Sequence, residues 1–219
     1  NLGIVDDMQA IGSICQREHL WMHVDGAYGG GGLAAPSVRE EFNGVELADS
    51  FIVDPHKWLF APFDCCALIY RDPSIAREAH RQHGEYLEVF YDGIWNASDY
   101  AHHLSRRARG LPLWFSLATH GTSAYTTAVE QTITVARAAG SLIEAHPHLE
   151  LVTAQQLSIC VFRRVGWSVQ DYHDWSDKML EAGDAFVTPT KFEGETVLRF
   201  CVVNPRTTID HIIEILATL

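Results

Sequence analysis

Two residues stand where a chain does chemistry. Asp25 closes the apolar run Leu20 to Val24, and Lys57 follows a second run, Phe51-Ile52-Val53, through Asp54-Pro55-His56. Short apolar runs of this kind read as buried strands. In open α/β sheets, ligands bind outside the carboxyl ends of strands. A lysine directly behind such a strand, between His56 and Trp58, is an unusual place for a solvating charge. Desolvation would free such an amine for Schiff-base chemistry, and a carboxylate at a neighbouring strand end can hold a cationic nitrogen. Together the pair matches what pyridoxal phosphate requires: an imine-forming lysine for its aldehyde and a carboxylate for its pyridinium nitrogen. Spacing alone leaves an equal alternative, with Lys57 a surface residue and Asp25 a turn former.

The elements around the pair can be read from periodicity. Asp6, with Gln9 three residues on, has the spacing of a capping box, and Met8, Ile11 and Cys15 then recur at helical intervals. Cys65 to Tyr70 reads as a third strand, so helix, strand, loop and strand follow one another as in the later half of an α/β sheet. Ser74 to Gln82 is a candidate helix. Residues 83–104 read as a long loop, of the kind that is functional or mobile. Trp114 to His120 and Thr122 to His146 read as helices, the second with Val129, Ile133, Ala136, Gly140 and Ile143 as its buried stripe. His146-Pro147-His148 breaks the pattern and suggests a boundary, giving 1–146 and 147–219. The second part reads as a small α+β domain: strands at Leu157 to Phe162, Ala185 to Val187 and Val197 to Val203, helices near Val169 to Glu181 and from Ile209 to Leu219. Gly29 to Gly32 fit neither the GxGxxG nor the Walker phosphate pattern, and suit close backbone packing beside the site.

Composition narrows the classes. The chain has 219 residues and a formal charge of −12, with 47% hydrophobic and 20% charged residues, so it should build a sizeable core. The acidic balance argues against nucleic-acid or anionic-membrane partners, since phosphate contacts need clustered Lys and Arg. The one basic cluster is Arg106, Arg107 and Arg109. No apolar run approaches a membrane span and no secretory leader is visible. Five cysteines, Cys15, Cys65, Cys66, Cys160 and Cys201, without a CxxC pair, argue against a disulfide framework or a zinc site and suit a reducing cytoplasm. The opening at Asn1, without Met, suggests the later part of a longer protein.

His23-Val24-Asp25-Gly26-Ala27-Tyr28-Gly29-Gly30, followed by Asp54-Pro55-His56-Lys57-Trp58-Leu59, resembles the group II pyridoxal-phosphate-dependent amino-acid decarboxylases. The likeness continues in order through Phe63-Asp64-Cys65, Ser105-Arg106-Arg107, Leu113-Trp114 and Val197-Leu198-Arg199-Phe200, and the Phe63 stretch leans toward the aromatic-amino-acid branch. The resemblance implies the aspartate-aminotransferase-type fold (fold type I): the end of the large α/β domain plus the small C-terminal domain. It implies pyridoxal 5'-phosphate as cofactor and α-decarboxylation of an L-amino acid, aromatic as first choice, to the amine and CO₂. By matching position, Lys57 would carry the internal aldimine, Asp25 would meet the pyridine nitrogen, Ala27 would pack on the ring, and His56 would lie near the phosphate. Ser50 is a further polar candidate. A loop tyrosine would return a proton after CO₂ leaves; Tyr100 is the choice, with Tyr86 and Tyr91 as competitors and aromatic packing as the plain alternative.

Two residues depart from simple expectation. The aromatic branch often has Asn where Asp54 stands, and a carboxylate beside a phosphate would be repelled. Arg199 could clamp a substrate carboxylate, but a decarboxylase gains nothing from stabilising the group it must expel, so a structural partner is expected. The resemblance also implies an upstream half carrying the phosphate cradle, and a homodimer. Two other outcomes stay open: an aldehyde-forming or aminotransferase-type enzyme with the same cofactor, and an inactive fragment or structural subunit.

Overall fold

A computed structural model describes residues 1–82 and 95–219. Tyr86 and Tyr91 lie outside the described residues. Among the described residues, two sheets organise the chain. The first has three strands in the order β1 (His23–Asp25), β2 (Ser50–Val53), β3 (Ala67–Tyr70). β1 and β2 are parallel, with Asp25 level with Ile52, and β3 is antiparallel to β2. A parallel pair needs a crossover, and here residues 26–49 provide it through three 3₁₀ segments, Gly29–Ala34, Pro36–Phe42 and Val45–Leu47. The carboxyl ends of β1 and β2 therefore lie side by side, which is what brings Asp25 and the turn carrying Lys57 together.

The second sheet is antiparallel, in the order β4 (Leu149–Leu151), β5 (Ile159–Arg164), β7 (Glu195–Cys201), β6 (Thr190–Phe192). Helices α5 (Val169–Ala182) and α6 (Ile209–Leu216) pack with it. Each opens with a capping box, Ser168 with Asp171 and Thr208 with His211, which satisfies amide donors that a helix start leaves free.

Helix α4 (Leu111–Ala145) joins the two sheets. Its expected stripe is buried: Val129 and Ile133 enter the core of the first sheet with Met22, Phe42 and Trp58, and Ala136 and Ile143 enter that of the second with Phe162, Trp175 and Leu198. Gly121, at φ 74° and ψ 162°, interrupts the helix where two helices were expected to meet, a conformation open to glycine at little cost. Among the described residues, no helix is long and apolar enough to cross a membrane.

Several boundaries differ from expectation for physical reasons. Helix α1 (Met8–Arg17) is capped by Asp7, whose Oδ1 accepts the Ala10 N–H at 2.9 Å, not by Asp6. Its buried face is Met8 and Gly12, with Gly12 against Leu47, while Ile11 is exposed. Only the end of the Leu20 to Val24 run is strand; Leu20 and Trp21 are exposed, and the Trp21 indole donates to Ser50 Oγ at 2.9 Å. Ala185 to Val187 forms no strand. Val187 is buried, but its carbonyl accepts the Ser176 hydroxyl at 2.7 Å, so the segment is held by α5 instead of a ladder.

Candidate active site

Asp25 ends β1, and Lys57 sits on α2, the short turn Pro55–Trp58 that follows β2. Proline at the first position suits that turn, because the missing N–H would have had no partner there. The Asp54 N–H donates to the Ala27 carbonyl at 3.0 Å, so the loops after β1 and β2 are bonded to each other. Asp25 Oδ1 accepts the Ala27 N–H at 3.1 Å, and among the described residues no hydrogen bond reaches its other oxygen. The glycine run packs tightly against these loops: a Cβ on Gly30 would come 2.7 Å from the Phe51 ring, and one on Gly31 3.1 Å from Trp58.

Asp25, Ala27 and Lys57 line one cavity of about 660 Å³, together with His23 and the segment Asn1–Asp6. That volume suits a small-molecule site. A carboxylate and an amine lining one cavity, with the small Ala27 side chain also lining it, fit the two polar demands of pyridoxal phosphate and leave room for its ring.

The lysine is not in the desolvated setting expected for it. Its side chain is 43% exposed, and Nζ pairs with Asp54 Oδ2 at 2.9 Å. The i,i+3 spacing of the pair on a helical turn was the available signal for this contact. Burial works against the charged form of Asp54, but hydrogen bonds from Lys57 and Cys66 outweigh it and hold the carboxyl below its ordinary value. The Cys66 thiol is pushed up to about 11, first by burial and then by its bond to that carboxylate.

The other candidates fall elsewhere. His56 and Tyr100 line a second hollow of about 1000 Å³ with Phe63, Trp95 and Arg109. His56 Nδ1 bonds to the Cys65 carbonyl at 2.6 Å, and its ring meets the edge of Phe63. Tyr100 ends the 3₁₀ segment Ala97–Tyr100 and stacks on Trp95, centroids 6.1 Å apart. Ser50 lines neither hollow. It starts β2, at the end away from Lys57, and its hydroxyl is engaged by Trp21 and by His23 Nδ1 at 2.8 Å. The arginine cluster anchors neighbouring chain: Arg107 and Arg109 both reach Asp64, at 3.0 and 3.1 Å, and Arg106 donates to the Ala97 carbonyl at 2.9 Å. Arg199 donates to the Asn1 carbonyl at 2.6 Å.

A lysine and an aspartate at the ends of adjacent parallel strands, on one cavity, place the chain among the fold type I enzymes that use pyridoxal phosphate. Comparison with known proteins narrows the class. The pyridoxal-dependent decarboxylase conserved domain matches residues 1–165, and the chain belongs to that family. It is 30% identical over 226 residues to an aromatic-L-amino-acid decarboxylase of Bacillus atrophaeus, covering 99% of this chain and 47% of that protein. It is 32% identical over 202 residues to a 3,4-dihydroxyphenylacetaldehyde synthase of Aedes aegypti, covering 91% of this chain and 38% of that one. A crystal structure of mouse CSAD superposes with a TM-score of 0.88 at 27% identity, over 99% of this chain and 48% of the other. The chain thus spans about half, or less, of the length of the relatives it matches.

Proposed function

We propose that this chain supplies the lysine and the ring-nitrogen carboxylate of an enzyme that removes CO₂ from an L-amino acid, aromatic by preference, to leave the amine. The observation that carries this is the cavity that Lys57 and Asp25 both line. The aromatic preference draws on the Bacillus relative.

Each residue has a definite task. Lys57 Nζ would be the amine that holds the cofactor's aldehyde carbon. Before attachment, Asp54 holds that amine at 2.9 Å in one orientation. Asp25 would hold a proton on the pyridine nitrogen, its own orientation fixed by the Ala27 N–H. Ala27 offers a small apolar surface to the ring face. When bound, pyridoxal phosphate accepts the electron pair left on the α-carbon as CO₂ departs. His56, one residue from the lysine, and Tyr100 belong to the neighbouring hollow, from which Tyr100 would return the proton. The reading brings with it an upstream polypeptide for the rest of the pocket, a homodimer, a cytoplasmic setting, and a division of this chain into 1–146 and 147–219.

One observation favours an aldehyde-forming outcome as the second reading. The Tyr100 ring is stacked on Trp95 and lines a different hollow from the one that Lys57 lines, and a phenol held away from the lysine is poorly placed to deliver a proton. Product analysis for amine or aldehyde separates the two.

The primary test is capture. The chain is titrated with pyridoxal phosphate, followed at about 420 nm where a lysine imine absorbs, reduced with borohydride and mapped by peptide mass. Modification concentrated on Lys57, lost in K57A and weakened in D25A, is expected. Equal labelling of Lys57, Lys178 and Lys191 would refute the assignment.

A further inference from the structure

We propose that Tyr28 is a positioning residue for the Asp25–Lys57 site, and that Ser158 on the second sheet is the anchor through which it acts. The inference rests on the assignment of Lys57 and Asp25 above and concerns residues which that assignment does not use.

Tyr28 comes three residues after Asp25, and Trp58 comes one residue after Lys57. Their rings lie face to face, centroids 5.0 Å apart and planes 14° from parallel. The stack therefore joins the two loops that carry the two reactive groups. A stack fixes the spacing of two planes but resists sliding only weakly; a hydrogen bond at each ring's far side fixes the slide.

Both rings have such a bond, and each goes to a different element. Trp58 is fully buried, and its indole N–H donates to Thr132 Oγ1 on α4 at 2.9 Å; the Thr132 hydroxyl donates in turn to the Val129 carbonyl at 2.7 Å. The Tyr28 hydroxyl is in a short hydrogen bond with Ser158 Oγ and accepts the Ser158 backbone N–H at 3.3 Å. Ser158 is itself fully buried, directly precedes β5, and its carbonyl accepts the Val202 N–H at 2.9 Å, just beyond β7. Burial drives the Tyr28 phenol far above its ordinary pKa, so it stays protonated.

A second contact supports the same link. Leu157 holds a left-handed backbone (φ 48°), which costs a non-glycine residue energy, and its carbonyl is gripped by Gln155 Nε2 at 2.6 Å. In that conformation its side chain lies where a Cβ on Gly29 or Gly32 would touch it, at 3.3 and 3.4 Å. The second sheet thus meets the loop after Asp25 at two adjacent residues, 157 and 158. The orientation of the first sheet's reactive groups is thereby tied to the second sheet through the Tyr28 hydroxyl and the Leu157 side chain.

The chain offers an internal measure. Lys57, Lys178 and Lys191 are its three lysines, and Lys178 on α5 and Lys191 on β6 stand exposed and outside this network. Native wild type, Y28F, S158A and the double variant are lightly acetylated with an N-hydroxysuccinimide ester, and the ratio of Lys57 to Lys178 labelling is read by peptide mass. Y28F keeps the ring and the stack and removes only the hydroxyl. Both single variants are expected to shift the ratio in one direction by about fivefold, the factor corresponding to one lost buried hydrogen bond, and the double variant no further, because the two groups act as a unit. Capture of pyridoxal phosphate at Lys57 should fall by a similar factor. Y28F and S158A that melt earlier but leave the Lys57 ratio unchanged would make the hydroxyl purely structural and overturn the proposal. If S158A does not fold, Y28F alone decides. If wild type captures no pyridoxal phosphate while the acetylation ratio still responds, the cofactor assignment fails and the positioning role stands.

Discussion

Gly26 is the position at which the smallest possible change should disturb the site. It lies between Asp25 and Ala27, and a Cβ built there would sit 2.8 Å from the Ile52 carbonyl oxygen and 2.8 Å from carbons of the Phe51 ring. The ring can turn a little. The carbonyl cannot, because β2 is the central strand and is held by β1 on one side and β3 on the other. Residue 26 must therefore withdraw by roughly half an ångström to reach ordinary contact, and Asp25 and Ala27 move with it. Overpacking of this kind costs about 1–3 kcal/mol. In a chain of this size each kcal/mol is worth about 2–4 °C, so G26A should melt about 2–12 °C below wild type. The functional loss should be larger than that shift suggests. Since a misplacement of about 1 Å can cost about a hundredfold in a reactive geometry, half of it should lower capture of pyridoxal phosphate at Lys57 by about tenfold. The assays are thermal melting by circular dichroism and borohydride trapping with peptide mapping. G110A is the matched control: Gly110 has φ −75° and nothing within 4 Å of its Cβ position, so alanine there should be neutral or slightly stabilising. A G26A protein that melts with G110A and captures cofactor like wild type would refute the idea that Gly26 sets the loop's distance from β2.

Two further outcomes follow from the ionisable groups. Asp54 has its carboxyl held below the ordinary value of 3.8 despite burial, so it contributes stability above that value and loses it as pH falls through the depressed one. Because Lys57 is 43% exposed, the pair is worth at most about 1 kcal/mol. D54N should therefore lower the urea midpoint slightly at pH 7, with the difference from wild type fading below about pH 4; a gap that widens toward acid pH would contradict the ion pair. Cys160 is fully buried and its thiol is pushed up to about 12 by that burial. In native protein it should resist iodoacetamide at pH 8 and react only with unfolding; fast alkylation of Cys160 in the folded state would show that the core between α4 and the second sheet opens.

The sequence carried the frame of the site because strand ends are local features. The apolar runs before Asp25 and Asp54, the turn residues after them, and the buried stripe of α4 all follow from side-chain type and periodicity, and each is present. What was lost was set by contacts distant in sequence. Ala185 to Val187 has strand-like residues, but its pairing was decided by the Ser176 hydroxyl on α5, which no window of sequence contains. Ser50 is polar and near Lys57 in sequence, yet three strand residues separate it from the turn, about 10 Å of chain, and Trp21 and His23 claim its hydroxyl. Tyr28 read as an aromatic in a motif; its partner is 130 residues away.

The same contrast bears on how half-length chemistry can be stored in one chain. Asp25 and Lys57 are brought together by the parallel pairing of β1 and β2 and by the Asp54 to Ala27 backbone bond, all within residues 23–57. Their surroundings are different. Lys57 is open to solvent and must rely on Asp54 for a fixed orientation, whereas burial by further chain would exclude water and strengthen every charge interaction in the cavity. A lysine held by a carboxylate until cofactor arrives has a physical advantage in that state: the charge is compensated while exposed, and the compensation is weak enough, at surface strength, to be displaced by a covalent bond. Replacing Asp54 by a neutral residue would leave the amine free to wander, and replacing the exposed pair by a buried one would make the amine too costly to release. On the proposed role, the intermediate arrangement, half-exposed and singly bonded, would let Lys57 be held first and react afterwards.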